Sequence, residues 1–231
     1  MPSVASSMSP RTLSRSVEDY LKAIYRLGAA GDPASTSSIA QALDIQPASV
    51  TGMVKRMAET GLLEHVPYRG VRLTEAGTRE ALRVLRRHRI LETYLCARLG
   101  YTWDDVHEEA ERLEHAVSDR LIDRMARALG FPSHDPHGAP IPTSAGHIET
   151  VDYSTLADAV AGDRLLIHAV RDEDPEALRS MAAEGLIPGA RIVVEAAADG
   201  SIEFDVTNDG LGARAVPTDI AQDVFVVPDP S

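Results

Sequence analysis

The sequence has little cysteine, few aromatic side chains and no long apolar run, and each shortage excludes a class of protein. Its single cysteine rules out an intrachain disulfide. Aromatic residues make up only 4% of the 231 residues, so aliphatic side chains must form most of any core. No stretch approaches the roughly 18 apolar residues of a membrane-spanning helix, and the first residues show no secretory apolar segment. A hydrophobic content of 44% and a mean hydropathy of −0.13 then predict a cytoplasmic globular protein behind a disordered leader at residues 1–15.

Negative charge is concentrated at one end of the sequence, although the net charge is −12 overall. Residues 132–231 hold 5 basic and 18 acidic side chains, whereas residues 1–75 hold 8 and 7, and residues 76–131 hold 10 of each. This uneven distribution predicts two functional halves. The front half is nearly neutral, so its bare electrostatic affinity for DNA should be weak, and bound divalent cations would improve it.

The elements predicted for the first 75 residues occur in the order of a winged helix-turn-helix. They are an amphipathic helix over 16–30, a short helix with Thr36 or Ser37 as its N-cap, a break at Gln46 and Pro47, a helix over 47–60, and two extended runs at 62–67 and 71–74. This order is typical of a DNA-binding unit.

The exposed side of the helix over 47–60 carries side chains suited to DNA. Small hydroxyl residues at its start can approach base edges, and a lysine or arginine can hold phosphate. Arg69, at the tip of the predicted hairpin, could reach the DNA backbone or the minor groove. We therefore predict DNA contacts from Gln46, Pro47, Ala48, Ser49, Thr51, Lys55, Arg56 and Arg69. The alternatives are that these are only solvated surface residues, or that the unit makes protein contacts.

The rest of the chain changes from helices to short strands. We predict a long helix from Glu75 to about Leu99, a helix from Trp103 to Ala116, a helix from a Ser118 cap to Leu129, and a linker or boundary over the proline-rich residues 132–147. Beyond it, alternating apolar and polar residues predict a small β-barrel with strands at 164–170, 191–195, 202–206, 213–217 and 224–227 and one helix at 175–184.

One helix carries a stripe of metal-binding side chains. His107, Glu111, Glu114 and His115 fall within an arc of about 100°, beside an apolar stripe that would face the core. Two further side chains at the same helical spacing, His88 and Glu92, and the carboxylate of Asp19 on the first helix are additional candidates. Imidazoles and carboxylates aligned in this way favour a transition-metal site. The alternatives are a solvated face, a surface hydrogen bond, or the catalytic metal of a hydrolase, although no HExxH motif is present.

Together these motifs resemble the diphtheria-toxin-repressor-type metalloregulators. The resemblance is carried by VEDYLKAIY, ASVTGMVKRM, RRHRILETYL, VHEEAERLEHAVSD and DPHGAPIP, and the tail (GDRLLIHAV, EGLIPGARIVV) is similar to the SH3-like domain of the ferrous-transport-accessory type. It implies a mainly α winged helix-turn-helix and helical dimerisation domain followed by a small all-β SH3-like barrel. It also implies a homodimeric, metal-dependent repressor that binds a palindromic operator in double-stranded DNA. The domains would be 16–75, 76–142 and 156–231, with a linker at 143–155.

The resemblance also implies two metal sites per chain. Its primary site corresponds to Asp19, Glu111, Glu114 and His115, and its ancillary site to His88, Glu92 and His107, with Asp174 as a weaker candidate from the SH3-like domain. Two positions depart from the pattern. Ala177 stands where a second ligand from the last domain is expected, and Lys22 stands where some short manganese regulators have a ligating glutamate.

The same comparison bears on the identity of the metal. Iron-type members place methionine and cysteine at the positions of Asp19 and Glu111, whereas this chain has carboxylates. Hard oxygen donors suit Mn²⁺, so we predict a manganese-dependent repressor, with Fe²⁺ as the alternative.

Three rival functions stay open at this point. The trigger could be a small organic effector or oxidation of Cys96, although the apolar neighbours Leu95 and Leu99 favour a buried, inert thiol. The SH3-like tail could instead bind a peptide, with residues 136–142 occupying it in cis.

The arginines of the long helix are expected to have a structural role in pairing with acidic groups. They are Arg83, Arg86, Arg87 and Arg89.

Overall fold

The computed structural model describes residues 13–29, 31–150, 153–171, 174–198, 200–207, 210 and 212–230. Most of the leader predicted at residues 1–15 therefore lies outside the described residues. The chain divides into two compact units, Met1–Leu85 and Arg86–Ser231. In the part of the chain that the structure describes, no helix has the length and apolarity needed to cross a membrane.

The first unit packs helices and a hairpin around one apolar core, as the winged helix-turn-helix order predicts. Its elements are α1 (Arg15–Leu27), α2 (Thr36–Ala42), α3 (Pro47–Glu59), β1 (Leu63–Val66), β2 (Gly70–Leu73) and the start of α4 (Glu75–Tyr94). Leu21, Ile39 and Val50 from the first three helices are completely buried in this core. The N-cap of α2 is Ser35, whose hydroxyl accepts from the Ser38 amide at 3.0 Å, so the predicted cap at Thr36 or Ser37 is wrong by one or two residues.

In the helical part of the second unit, both ends of α5 differ from the prediction. After α4, residues Leu95–Leu99 form a π-helical turn, and α5 (Val106–Leu113) and α6 (Asp119–Ala128) follow. The helix predicted from Trp103 to Ala116 is too long at both ends, since α5 covers only Val106–Leu113. The residues before it form a turn, in which the amides of Asp105 and Val106 both donate to the Thr102 carbonyl. Trp103 lies in that turn and packs against the core of the barrel. The Ser118 cap is confirmed, since its hydroxyl accepts from the Leu121 amide at 3.3 Å.

The SH3-like part is a six-stranded antiparallel sheet in the order β3-β8-β4-β5-β6-β7. Alternate residues of each strand face the core; on β6, for example, Ile202, Phe204 and Val206 are buried. The strand β3 lies inside the predicted linker and was not anticipated. The elements are β3 (Ser154–Thr155), a 3₁₀ turn (Leu156–Asp158), β4 (Arg164–Val170), α7 (Pro175–Ala183), β5 (Arg191–Ala198), β6 (Ser201–Val206), β7 (Arg214–Pro217), α8 (Thr218–Ala221) and β8 (Val224–Pro228).

The proline-rich segment after α6 is packed between these two parts of the second unit. Gly138 has φ +85°, and an added Cβ would lie 2.1 Å from the carbonyl oxygen of His168 on β4. The amide of Val170 donates to the His137 carbonyl at 2.9 Å. On its other side, the carbonyls of Pro140 and Pro142 accept from arginines of α4. The segment therefore acts as an ordered connection that positions its side chains beside α4.

Candidate metal centre and DNA-binding surface

Imidazole and carboxylate side chains converge in the helical part of the second unit. Each group offers one nitrogen or oxygen atom per residue, and the atoms of a group lie within 4.8 Å of one another. Group 1 contains Glu111, Glu114 and His115; group 2 contains His88, Glu92 and His107; and group 3 contains Glu92, Asp135 and His137. The sequence predicted the members of the first two groups, and the structure brings each of these sets together.

Group 2 has the spacing of a metal-binding face. His88 Nε2 lies 2.9 Å from Glu92 Oε1 and 3.2 Å from His107 Nδ1, and His107 Nδ1 lies 3.2 Å from Glu92 Oε1. Ligands at about 2.1 Å from one ion are about 3.0 Å apart in octahedral geometry and about 3.4 Å apart in tetrahedral geometry. The three atoms therefore already have the separations that a divalent cation requires.

Groups 1 and 2 are joined by one imidazole. His88 Nδ1 lies 2.6 Å from Glu114 Oε2, while its Nε2 belongs to group 2. Both side chains are essentially inaccessible, at 1% and 0% exposure. A carboxylate on the second nitrogen of a ligating histidine fixes its tautomer and its orientation. Glu114 therefore holds His88 with Nε2 directed into group 2.

Group 3 was not predicted, because Asp135 and His137 lie in a segment interpreted as a linker. His137 Nε2 donates to the Trp103 carbonyl at 2.6 Å, so in the neutral ring Nδ1 is the acceptor nitrogen. That Nδ1 is buried, has no hydrogen-bond partner and lies 3.8 Å from Glu92 Oε2. An acceptor nitrogen facing a carboxylate in a dry site fits a cation between them. The signal in the sequence was the Asp-Pro-His spacing inside DPHGAPIP.

Two predicted ligands, Asp174 and Asp19, lie outside the helical part of the second unit. Asp174 is the N-cap of α7, where its carboxylate accepts from the amides of Glu176 and Ala177, and it is not part of the three groups found among the described residues. Asp19 lies on α1 in the first unit and is partly buried. Neighbouring Lys22 is 6% exposed.

All the side chains predicted to contact DNA are exposed to solvent. Seven of them lie on α3 or directly before it, and the eighth is in the hairpin turn: Gln46, Pro47, Ala48, Ser49, Thr51, Lys55, Arg56 and Arg69. The opposite side of α3 supplies Val50, Val54 and Met57 to the core. Arg69 Nη2 lies 2.6 Å from Asp32 Oδ1, and both side chains are more than half exposed, so solvent and salt weaken this pair.

The arginines of α4 pair with acidic groups, as predicted. Arg87 contacts Asp119 at 3.0 Å, and Arg86 contacts Asp123 at 3.2 Å. Arg89 lies 3.4 Å from Asp135 of group 3. The charges of these three arginines are thus engaged within the second unit, and Arg83 lies 3.4 Å from Glu80 in the first.

Cys96 is half-buried and not fully buried as expected. Burial, reinforced by nearby Glu92, Asp105 and Asp135, raises the pKa of its thiol to about 11. A thiol that stays protonated at neutral pH is a poor nucleophile, in agreement with the expected inert role.

Family models match almost the whole chain. Residues 12–71 match the N-terminal DNA-binding domain of iron-dependent repressors, residues 74–143 match their metal-binding and dimerisation domain, and residues 154–228 match the FeoA domain.

Individual relatives agree with these models. The iron-dependent repressor IdeR of Mycobacterium bovis is 31% identical over 208 residues, covering 80% of this chain and 86% of the relative. The diphtheria toxin repressor of Corynebacterium jeikeium is 29% identical over 239 residues, covering 94% and 98%. A solved manganese-dependent transcriptional repressor in complex with manganese superposes with a TM-score of 0.85 at 37% identity, covering 92% of this chain and all of that one.

Proposed function

The chain belongs to the iron-dependent repressor family of metal-dependent, DNA-binding transcriptional regulators, and we propose that Mn²⁺ is its co-repressor, with Fe²⁺ as the alternative. Members of this family are regulators and not enzymes. The observation that carries the proposal is the convergence of His88, Glu92 and His107 at separations of 2.9 to 3.2 Å. In this function the protein controls genes of metal uptake and homeostasis.

The choice of manganese is supported by the chemistry of the donors. The three groups of the second unit contain carboxylates and imidazoles and no cysteine. Oxygen-rich sites suit Mn²⁺, whereas thiolate and thioether donors favour softer or later metals. The relatives include both a repressor solved with manganese and iron-dependent repressors, so the family alone leaves both ions open.

We assign about two regulatory ions to each chain. The primary site would use Asp19 with group 1, and the ancillary site would use group 2, with Asp174 as a weaker contributor. Group 3 competes with or extends the ancillary site, because both depend on the carboxylate of Glu92. One oxygen of Glu92 belongs to each group, so a single side chain links their occupancy.

Regulation then follows from charge. When bound, the cation supplies the positive charge that offsets the mutual repulsion of the primary-site carboxylates. Asp19 on α1 belongs to the DNA-binding unit, whereas Glu111 and Glu114 belong to α5 and its end. If these side chains share one ion, metal occupancy would be coupled to the arrangement of the recognition helices, and metal would favour the arrangement that matches two half-sites.

The partner is a palindromic double-stranded operator, bound by a homodimer in the cytoplasm. The exposed polar face of α3 supports the predicted DNA contacts. Exposed apolar side chains in the metal-binding and dimerisation region support a second copy as partner: Leu99 is 62% exposed, Leu121 42% and Phe131 68%.

The test is a mobility shift on DNA from the promoter of its own operon, with Mn²⁺, Fe²⁺, Zn²⁺ or chelator. Asp19→Ala and Glu111→Ala should each abolish Mn²⁺-stimulated binding and leave the dimer intact. Glu108→Ala, which removes an exposed α5 carboxylate paired with Arg112, is the control and should behave as wild type. Operator binding by both ligand variants without metal would reject the mechanism. Binding stimulated by Fe²⁺ and not by Mn²⁺ would overturn the choice of ion.

A further inference from the structure

A second concentration of imidazoles lies outside the three metal groups. His134 follows α6, Glu149 precedes β3, and His168 lies on β4, so three separate segments of the second unit contribute. The rings of His134 and His168 are 5.2 Å apart, edge to face, and Glu149 Oε2 lies 3.7 Å from His134 Nε2. The family function as described above does not use these side chains.

One ring nitrogen of each histidine in this cluster is buried without a hydrogen-bond partner. His134 Nε2 and His168 Nε2 are both inaccessible to solvent and have no hydrogen-bond partner. Such atoms are costly in a folded protein unless a ligand or ion completes them. Ser133 Oγ lies 2.9 Å from the other nitrogen of His134, Nδ1, so the hydroxyl can accept a hydrogen bond from Nδ1–H in the tautomer whose Nε2 is an acceptor. The cluster thus offers His134 Nε2 and Glu149 Oε2 3.7 Å apart, with the buried Nε2 of His168 on the neighbouring ring. These three side chains are not one of the sets in the described residues whose ligand atoms lie within 4.8 Å of one another, so an ion would have to draw the exposed Glu149 inward.

We propose that His134, His168 and Glu149 form an additional transition-metal site, selective for zinc-like ions, that joins the SH3-like sheet to the segment after α6. The ring separation supports this assignment. Two imidazoles that bind one ion through Nε2 at about 2.05 Å, with a tetrahedral angle between them, have ring centres about 5.2 Å apart. Two histidines and a glutamate are a ligand set that zinc commonly accepts, with one position left open.

Two further features of the surroundings support the site. The ring of Tyr153 lies 4.6 Å from that of His168, and its buried hydroxyl has no hydrogen-bond partner. The Glu149 side chain is 56% exposed, which gives an ion a route of entry from solvent.

The test measures zinc per chain in the full-length protein, dialysed against a chelator-buffered zinc solution, with no DNA present. His168→Phe keeps the ring packed between Tyr153 and His134 and removes both nitrogens, and Glu149→Gln removes only an exposed charge. Each variant should bind about one zinc fewer per chain than wild type. His147→Phe makes the same replacement at an exposed histidine of the neighbouring segment and should keep the wild-type content.

Because Glu149 is exposed, its variant should fold and decides the question even if His168→Phe does not. Equal zinc content in wild type and Glu149→Gln would overturn the proposal, as would an equal loss in His147→Phe. The regulatory groups are intact in all three variants, so failure here leaves the metal-dependent repressor function untouched, and failure of the operator assay leaves this site untouched.

Discussion

The DNA-binding surface and the metal centre place their polar side chains in opposite environments. On α3 the side chains that would contact DNA are exposed, and the buried side of the helix is apolar. In the metal centre His88, Glu92 and Glu114 are at most 1% exposed. A solvated polar surface can change without a desolvation cost, whereas a buried carboxylate must be compensated by partners or by an ion. Function can therefore be separated from stability on α3, but the two are coupled in the metal centre.

The largest effect is expected at Glu92, which groups 2 and 3 share. Glu92→Gln keeps the shape and removes the charge from both groups. Changes to groups that only support metal ligands cost about 10- to 100-fold in affinity, so loss of this direct donor should lower Mn²⁺ affinity by at least about 100-fold. Competition against a fluorescent chelator measures it. Glu108→Gln, at a side chain that is 68% exposed, is the matched control. Wild-type affinity in Glu92→Gln would show that neither group depends on this carboxylate.

On the DNA-binding surface, we expect a loss of operator binding without a loss of stability. Ser49, Thr51 and Arg69 changed together to alanine should weaken operator binding by at least about 100-fold, because individual base contacts contribute about 1–3 kcal/mol. The unfolding midpoint in urea should not change, since all three side chains are exposed. Fluorescence anisotropy with operator DNA gives the affinity. Ser144→Ala combined with Arg164→Ala removes exposed groups elsewhere and should bind normally; unchanged binding by the triple variant would reject the assigned contacts.

Two glycines allow the same chemical change to be made in both regions. Gly138→Ala would place a methyl group 2.1 Å from the His168 carbonyl at φ +85°, and should destabilise the protein by about 2–4 kcal/mol. Gly52, on the exposed side of α3, has no atom within 4 Å of an added Cβ. Gly52→Ala should stabilise the helix by up to about 1 kcal/mol. Urea unfolding followed by circular dichroism measures the free energy of unfolding of both variants. A change in the same direction in the two variants would contradict the predicted difference between the regions.

The sequence predicts the first region better than the second, for a physical reason. The pattern of α3 is local, since Pro47 starts the helix and Val50, Val54 and Met57 mark its buried side, and the predicted end at residue 60 differs from the structure by one residue. The metal groups on α4 and α5 were also visible as side chains at helical spacing. By contrast, Asp135 and His137 reach group 3 because a proline-rich segment without regular secondary structure packs against α4. Such packing leaves no periodic pattern in the sequence. The start of α5 was misplaced because Trp103 is held by tertiary packing.

The smallest functional effect is expected at Cys96, beside the buried acids of the metal centre. With a thiol pKa of about 11 in place of 9.0, the thiolate fraction at pH 7 is about 100-fold below that of an ordinary cysteine. Alkylation by iodoacetamide should therefore be slow at pH 7 and accelerate about tenfold per pH unit up to the pKa, while the urea-unfolded chain reacts at the ordinary rate. Cys96→Ser should change Mn²⁺-dependent operator binding by less than about twofold. Rapid alkylation of the folded protein at pH 7, together with loss of operator binding on mild oxidation in wild type and not in Cys96→Ser, would instead favour a thiol sensor.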